Sequence, residues 1–229
     1  MNLLSLMLLG GCSGIENNLV PIPASPIGWT DVAPPGTTQP DTGLEPWVNY
    51  DVLVVLDTSG SMSDDTLIHF GLAQIPETLD NHASDWQLAL ITADATTSYM
   101  WEVSPTDPDP EWAVMEGINY LLSSGSHLEE GIDAALTFAA DNPSWLRPNA
   151  VTLLVLVSDE DDQSEVDPNE LPSIWPTSLE VVVVVGLKEA DRNPEEDPNY
   201  KCSADTGSRY LQIAQRQVDI CTTGRWSVF

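Results

Sequence analysis

Apolar and polar positions divide the chain into segments of two kinds. At 50–57, 86–93, 151–157 and 179–187 short runs are apolar at odd and even positions alike. Such runs have no polar face and fit strands buried on both sides of a parallel sheet. Between them the apolar spacing is helical. Leu67, Ile68, Leu72, Ile75 and Leu79 predict a helix over 65–82, kinked at Pro76. A short helix is predicted over 111–122 and a longer one over 126–141. In the latter, Ser126-x-x-Glu129 reads as a capping box, and Leu128, Ile132, Ala135, Leu136 and Ala139 form one face. Residues 98–103 fit an edge strand, 105–110 a surface loop, 206–217 a helix and 226–229 a last short strand. This alternation predicts an α/β domain over 48–229, with a Rossmann-like, doubly wound, mostly parallel central sheet flanked by helices.

The pattern is different upstream. Pro21, Pro23, Pro26, Pro34, Pro35, Pro40 and Pro46 exclude a regular helix or central strand. Residues 12–47 therefore read as a disordered, extended tether. Residues 1–11 form an apolar stretch of signal-peptide length, too short to span a bilayer. It ends in Leu9-Gly10-Gly11-Cys12, which resembles the bacterial lipobox, where the peptide is cut before the cysteine and the thiol is lipidated. The expected location is the bacterial cell envelope, lipid-anchored through Cys12 at the outer membrane or cell surface. An ordinary cleaved signal would give a secreted protein. No Lys or Arg precedes the apolar run, which departs from the usual signal. In an exported chain, Cys202 and Cys221 are candidates for a disulfide, with two free thiols as the alternative.

Charge narrows the partners. Seven basic residues face 36 acidic ones, a formal net charge of -29. That field repels phosphate, so nucleic acid and anionic headgroups are poor partners. Divalent cations and basic protein patches are better ones, and solubility accounts for much of the acidity. The cysteines and three scattered histidines lack zinc-ligand spacing.

The candidate chemistry sits at strand ends. The run 50–57 leads into Asp57-Thr58-Ser59-Gly60-Ser61. In an extended exit alternate residues point the same way, so Asp57, Ser59 and Ser61 can converge. Hard oxygens at one point suit Mg²⁺, or Mn²⁺ or Ca²⁺. A turn that merely caps the next helix is the alternative. After the strand 151–157 comes Ser158-Asp159-Glu160-Asp161-Asp162. Asp159 fits a metal ligand, while Asp161 and Asp162 fit a solvated loop or a second, weak Ca²⁺ site. Asp94 ends the strand 86–93 at the same sheet edge and fits a residue behind the ligands. Open α/β sheets bind ligands at such carboxyl ends.

Asp57-x-Ser59-x-Ser61 after the first strand resembles the metal-ion-dependent adhesion site of the von Willebrand factor A family. The resemblance implies that family's fold. It also implies Asp159 in the family's Thr-Asp-Gly-like turn, with Ser158 for Thr and Glu160 for Gly, and Ser126 in place of a family threonine. A helix cap alone would also explain Ser126. The passages Asn142-Pro-Ser-Trp-Leu-Arg-Pro-Asn-Ala150, Gly125-Ser-x-x-Glu129-x-Gly131 and Gly207-x-x-Tyr210 are similar to exported bacterial lipoproteins of this family. In the family an acidic residue of a protein partner fills the metal's open position, which implies a binding or adhesion module. A structural assembly subunit, in which metal only stabilises loops, is the alternative. A metal-assisted hydrolase using Asp57 and Asp159 is the lesser alternative: no His is placed as a base and no nucleophile arrangement is evident, although Asp and Glu are plentiful, and the chain reads as no enzyme.

Overall fold

The computed structural model describes residues 48–62, 66–97, 99–186, 204 and 206–220. Cys12, the 12–47 tether, Cys202, Cys221 and the predicted strand 226–229 lie outside the described residues. Strands β1 (Val48–Leu56), β2 (Ala83–Thr92), β3 (Met100–Val103), β4 (Ala150–Val157), β5 (Ser178–Val185) and β6 (Arg216–Asp219) form one sheet. Its order is β3-β2-β1-β4-β5-β6. Only the β2–β3 pair is antiparallel.

The doubly apolar runs form two separate cores. Val52, Val54 and Leu56 of β1 face one side with Leu88, Leu90, Leu153, Val155, Val182 and Val184. Leu53 and Val55 face the other with Ala89, Ile91, Leu154, Leu156, Val181 and Val183. Helices α1 (Thr66–Ala73), α2 (Ile75–His82) and α3 (Pro110–Leu122) cover the first side. Helices α4 (Gly131–Asp141), α5 (Leu171–Ile174) and α6 (Tyr210–Ile213) cover the second. The predicted helix 65–82 is thus two helices broken at Gln74, because Pro76 cannot donate to the turn before it. Among the described residues no helix is long and apolar enough to cross a membrane.

Two expectations are corrected. The helix predicted from Ser126 begins at Gly131, and Leu128 is exposed rather than on its buried face. The capping box does not form. The amides of Ile132 and Asp133 are instead taken by Asp162 Oδ1 at 3.2 Å and Ser164 Oγ at 2.9 Å. Distant side chains cap this helix and release residues 123–130 for another use. The helix predicted over 206–217 is a single turn, α6, followed by β6. Ala214 is extended, and Gln215 N donates to Val181 O, so the chain joins the sheet edge.

The opposite end of the sheet carries a charged clamp. Asp51 is fully buried. Arg147 donates to it twice, from its backbone N and its Nε, both at 2.6 Å. The same guanidinium reaches Tyr50 O at 2.8 Å and the exposed Asp85.

Candidate metal centre

Pairing register brings three chain exits to one level. Leu56 lies opposite Thr92 on one side and Val157 on the other. Asp57, Ala93 and Ser158 therefore leave the sheet together, held by Asp57 N to Val157 O and Ala93 N to Leu56 O, both 2.9 Å. β1 connects onward to β2, while β4, its other neighbour, belongs to the opposite half of the sheet. The crevice between them is the topological switch point, where such sheets hold ligands.

Asp57 is buried, and both its oxygens are engaged. Oδ1 accepts from Ser59 N and Oδ2 from Ser158 Oγ, each at 2.7 Å. Ser59 Oγ and Ser61 Oγ are 2.9 Å apart, and Ser61 Oγ donates to Asp159 Oδ1 at 3.1 Å. Ser59, Ser61 and Asp159 are thus linked through their side chains, and Asp57 joins them through the backbone N of Ser59. Burial raises the Asp159 carboxyl above its ordinary range, and the charges of Asp57 and Glu160 add to this against the Ser61 hydrogen bond. Two carboxylates with two hydroxyls, and no basic side chain among them, suit a hard divalent cation. Among the described residues no three His, Cys, Asp or Glu side chains are grouped to hold a metal, so hydroxyls and water would complete the shell.

Ser126 and Asp94 form a second group beside the first. Gly125, at φ 62°, turns the loop after α3. Ser126 Oγ then donates to Asp94 Oδ2 at 2.7 Å. Asp94 Oδ1 takes Thr96 N and Thr96 Oγ1 at 2.8 and 2.6 Å. Burial pushes the Asp94 carboxyl up, but the bonds from Thr96 and Ser126 outweigh it and leave it below the usual range. Ser126 is therefore tied to Asp94 rather than serving as the cap of α4.

The acidic run after β4 splits three ways. Asp159 points to Ser61. Asp161 Oδ1 accepts from Arg209 N at 2.8 Å, and Asp162 Oδ2 pairs with Arg209 Nε at 3.1 Å. Asp162 is buried and caps α4, so for it the solvated-loop and second-calcium readings both fail. Glu160 lies near Glu129 and acts to raise its carboxyl.

Glu129 is the residue that sequence reasoning missed. It is buried, and Gln163 Nε2 donates to its Oε2 at 2.6 Å. Burial, the Glu160 contact and the Asp57 charge raise its carboxyl from 4.5 to about 7. Between these values the native protein holds a proton that the unfolded chain has released. The stability this contributes is full below about pH 4.5 and is lost as the pH rises to about 7. In EDTA, the contribution of this carboxyl to stability is expected to fall as the pH rises through that window. Glu129→Gln should flatten the fall, and melting temperatures across that pH range check it. An unchanged slope in the variant would clear Glu129 of the effect.

Comparison with known families decides the chain's relationship. The model of the von Willebrand factor type A domain matches residues 51–194, more than half of the chain. This protein belongs to the von Willebrand factor type A family. The sheet order and helix layers above are the architecture of its VWA domain.

Several solved structures resemble it. Proximal thread matrix protein 1 from the mussel byssus is 12% identical with a TM-score of 0.47, covering 74% of this chain and 42% of that one. The same mussel protein with a zinc-occupied MIDAS motif is 11% identical with a TM-score of 0.49, covering 77% and 45%. A von Willebrand factor type A structure from Catenulispora acidiphila is 18% identical with a TM-score of 0.39, covering 65% and 39%. The VWA chain thus spans less than half the length of each of these proteins. Comparison with curated proteins gave no match.

Proposed function

We propose that this protein is an exported, lipid-anchored VWA module that binds one divalent cation and uses it to grip a protein partner. The observation that carries the reading is the cluster of Asp57, Ser59, Ser61 and Asp159 at the switch point, linked through the Ser59 backbone N and the two hydroxyls, with no basic side chain hydrogen-bonded to it among the described residues. Asp57 and Asp159 supply the charge that balances the ion. Ser59 and Ser61 supply hydroxyl ligands, and Ser126 joins them on leaving Asp94. Glu129 and Ser158 stand behind, one as a buried carboxyl near Asp57 and one as a donor that fixes its rotamer. With two carboxylates the ion keeps an open position, and an Asp or Glu of the partner fills it. The metal is Mg²⁺, Mn²⁺ or Ca²⁺, whose shared preference for oxygen the donor set meets. The role is binding rather than catalysis.

The deciding experiment is a calorimetric titration of the full chain with Mg²⁺, Mn²⁺ and Ca²⁺. One saturable site, shared by the three ions and reversed by EDTA, is the expected result. No heat with any ion would leave the group as a hydrogen-bonded turn and sink the reading. Anchoring rests on Leu9-Gly10-Gly11-Cys12. Cys12→Ser should move the protein from the membrane fraction to the soluble one, and unchanged membrane association would refute lipidation as the anchor.

A further inference from the structure

A groove runs between α4 and the β3 edge of the sheet, with a volume of about 170 Å³. Its floor is Ile91 of β2 and Met100 of β3, directly paired and so on one face. Phe138 of α4 forms the opposite wall and Tyr99 the outer lip. Phe138 is braced from behind by Trp145, edge-on at 5.1 Å, whereas the Tyr99 ring meets Tyr120 of α3 at 6.1 Å on the other side of the sheet. The Phe138 wall is therefore built rather than incidental.

The groove is also negative at both ends. Asp94 lines one end and Asp141 the other. Glu102, two residues beyond Met100, shares the floor's face and is exposed. Asp141 closes α4, where unpaired carbonyls already concentrate negative charge, and no basic residue lies in that last turn. The adjoining chain offers no remedy, since none of residues 1–146 is Lys or Arg. The first basic residue, Arg147, is committed to Asp51 and Asp85.

We propose that this groove receives a lysine or arginine side chain presented by a protein partner. The aliphatic stem lies on Ile91, Met100 and Phe138, as long basic side chains do on apolar surface. The charged head pairs with Asp141 at the C-terminal end of α4. Asp94 is the poorer receiver, since three donors already occupy its oxygens. The size supports a side chain over a cofactor, because small-molecule pockets usually run from about 300 Å³ upward. A protein source follows from β3, which among the described residues pairs only with β2 and so offers an edge to an extended strand. This site adjoins the proposed metal ligands at one end, where Asp94 accepts from Ser126, while Asp141 lies at the other.

The test uses the full chain in EDTA, so its outcome is independent of the metal reading. Acetyl-Gly-Arg-Gly-amide is titrated while backbone amides are followed by NMR. The control peptide carries citrulline, which keeps the shape and removes the charge. Saturable shifts at Thr97, Tyr99 and Asp141 are expected, with the citrulline peptide at least tenfold weaker. Asp141→Asn should weaken the arginine peptide about threefold to tenfold without lowering the melting temperature. Thr137→Arg, at an exposed position on the groove wall, should fill the groove and abolish binding. Equal binding of both peptides, an unaffected Asp141→Asn variant, or no shifts at these amides would each overturn the proposal.

Discussion

Asp57→Ala is expected to reduce divalent-cation affinity by at least about 100-fold, beyond the 10–100-fold typical of losing an outer-shell partner. The carboxylate is both a proposed ligand and the anchor of the turn. Its two oxygens hold Ser59 N and Ser158 Oγ, so alanine removes charge and leaves two donors unsatisfied. An unpaired buried donor costs roughly 1–3 kcal/mol, which would blur the interpretation. Asp57→Asn separates the two effects. Its amide can accept from Ser59 N and donate to Ser158 Oγ, so the fold is kept while the charge is lost. Calorimetry of both variants beside wild type is the measurement. Wild-type affinity in the asparagine variant would show that Asp57 is structural and that the ion, if bound, is held elsewhere.

Arg147→Met is expected to cost about 3–5 kcal/mol of stability, the usual result of breaking one half of a buried ion pair. Asp51 is fully buried, and Arg147 Nε is its ionic partner. The backbone N of Arg147 would still donate to Asp51, so part of the solvation survives. Asp85 is exposed, and its contact with the same guanidinium should contribute under about 1 kcal/mol. Urea unfolding of Arg147→Met, Asp85→Asn and the double variant Asp51→Asn/Arg147→Met measures these terms. The double variant should recover much of the loss, because it removes the stranded charge. A loss below about 1 kcal/mol in Arg147→Met would mean that water reaches Asp51 and that the clamp is weak.

Much of the fold was legible because its signals are local. Strands β1, β2, β4 and β5 are apolar on both faces, and few other structures tolerate that pattern. The nearness of Asp57, Ser59 and Ser61 was legible from their spacing at a strand end, although residues 59–62 close in a turn, with Met62 N donating to Ser59 O at 3.2 Å, where an extended exit was expected. The start of α4 was not. Ser126-x-x-Glu129 satisfies the cap rule locally, but Asp94 takes the Ser126 hydroxyl and Asp162 and Ser164 take the helix amides. Those partners lie about thirty residues away in sequence, so no short-range rule can weigh them. β6 was missed because Arg216-Gln217-Val218-Asp219 has no apolar run and is a strand only through its pairing with β5. Glu129 stood out only as a capping-box residue, and its burial follows from where Gln163 arrives. Ser158 could have been found, since the residue before Asp159 at a parallel strand end lies beside Asp57 by register.

The clamp at Arg147 has a consequence for how the protein meets proteases. Through residue 187 the sequence offers a trypsin-like enzyme only this one basic residue. Its guanidinium is engaged by Asp51, Asp85 and Tyr50, and the next residue is Pro148, which such enzymes do not cut before. To that class of protease the chain from its first residue to Lys188 is a single uncut block, folded or unfolded. Mapping this protein by peptide mass therefore calls for an enzyme that cleaves at acidic residues, which it carries in abundance.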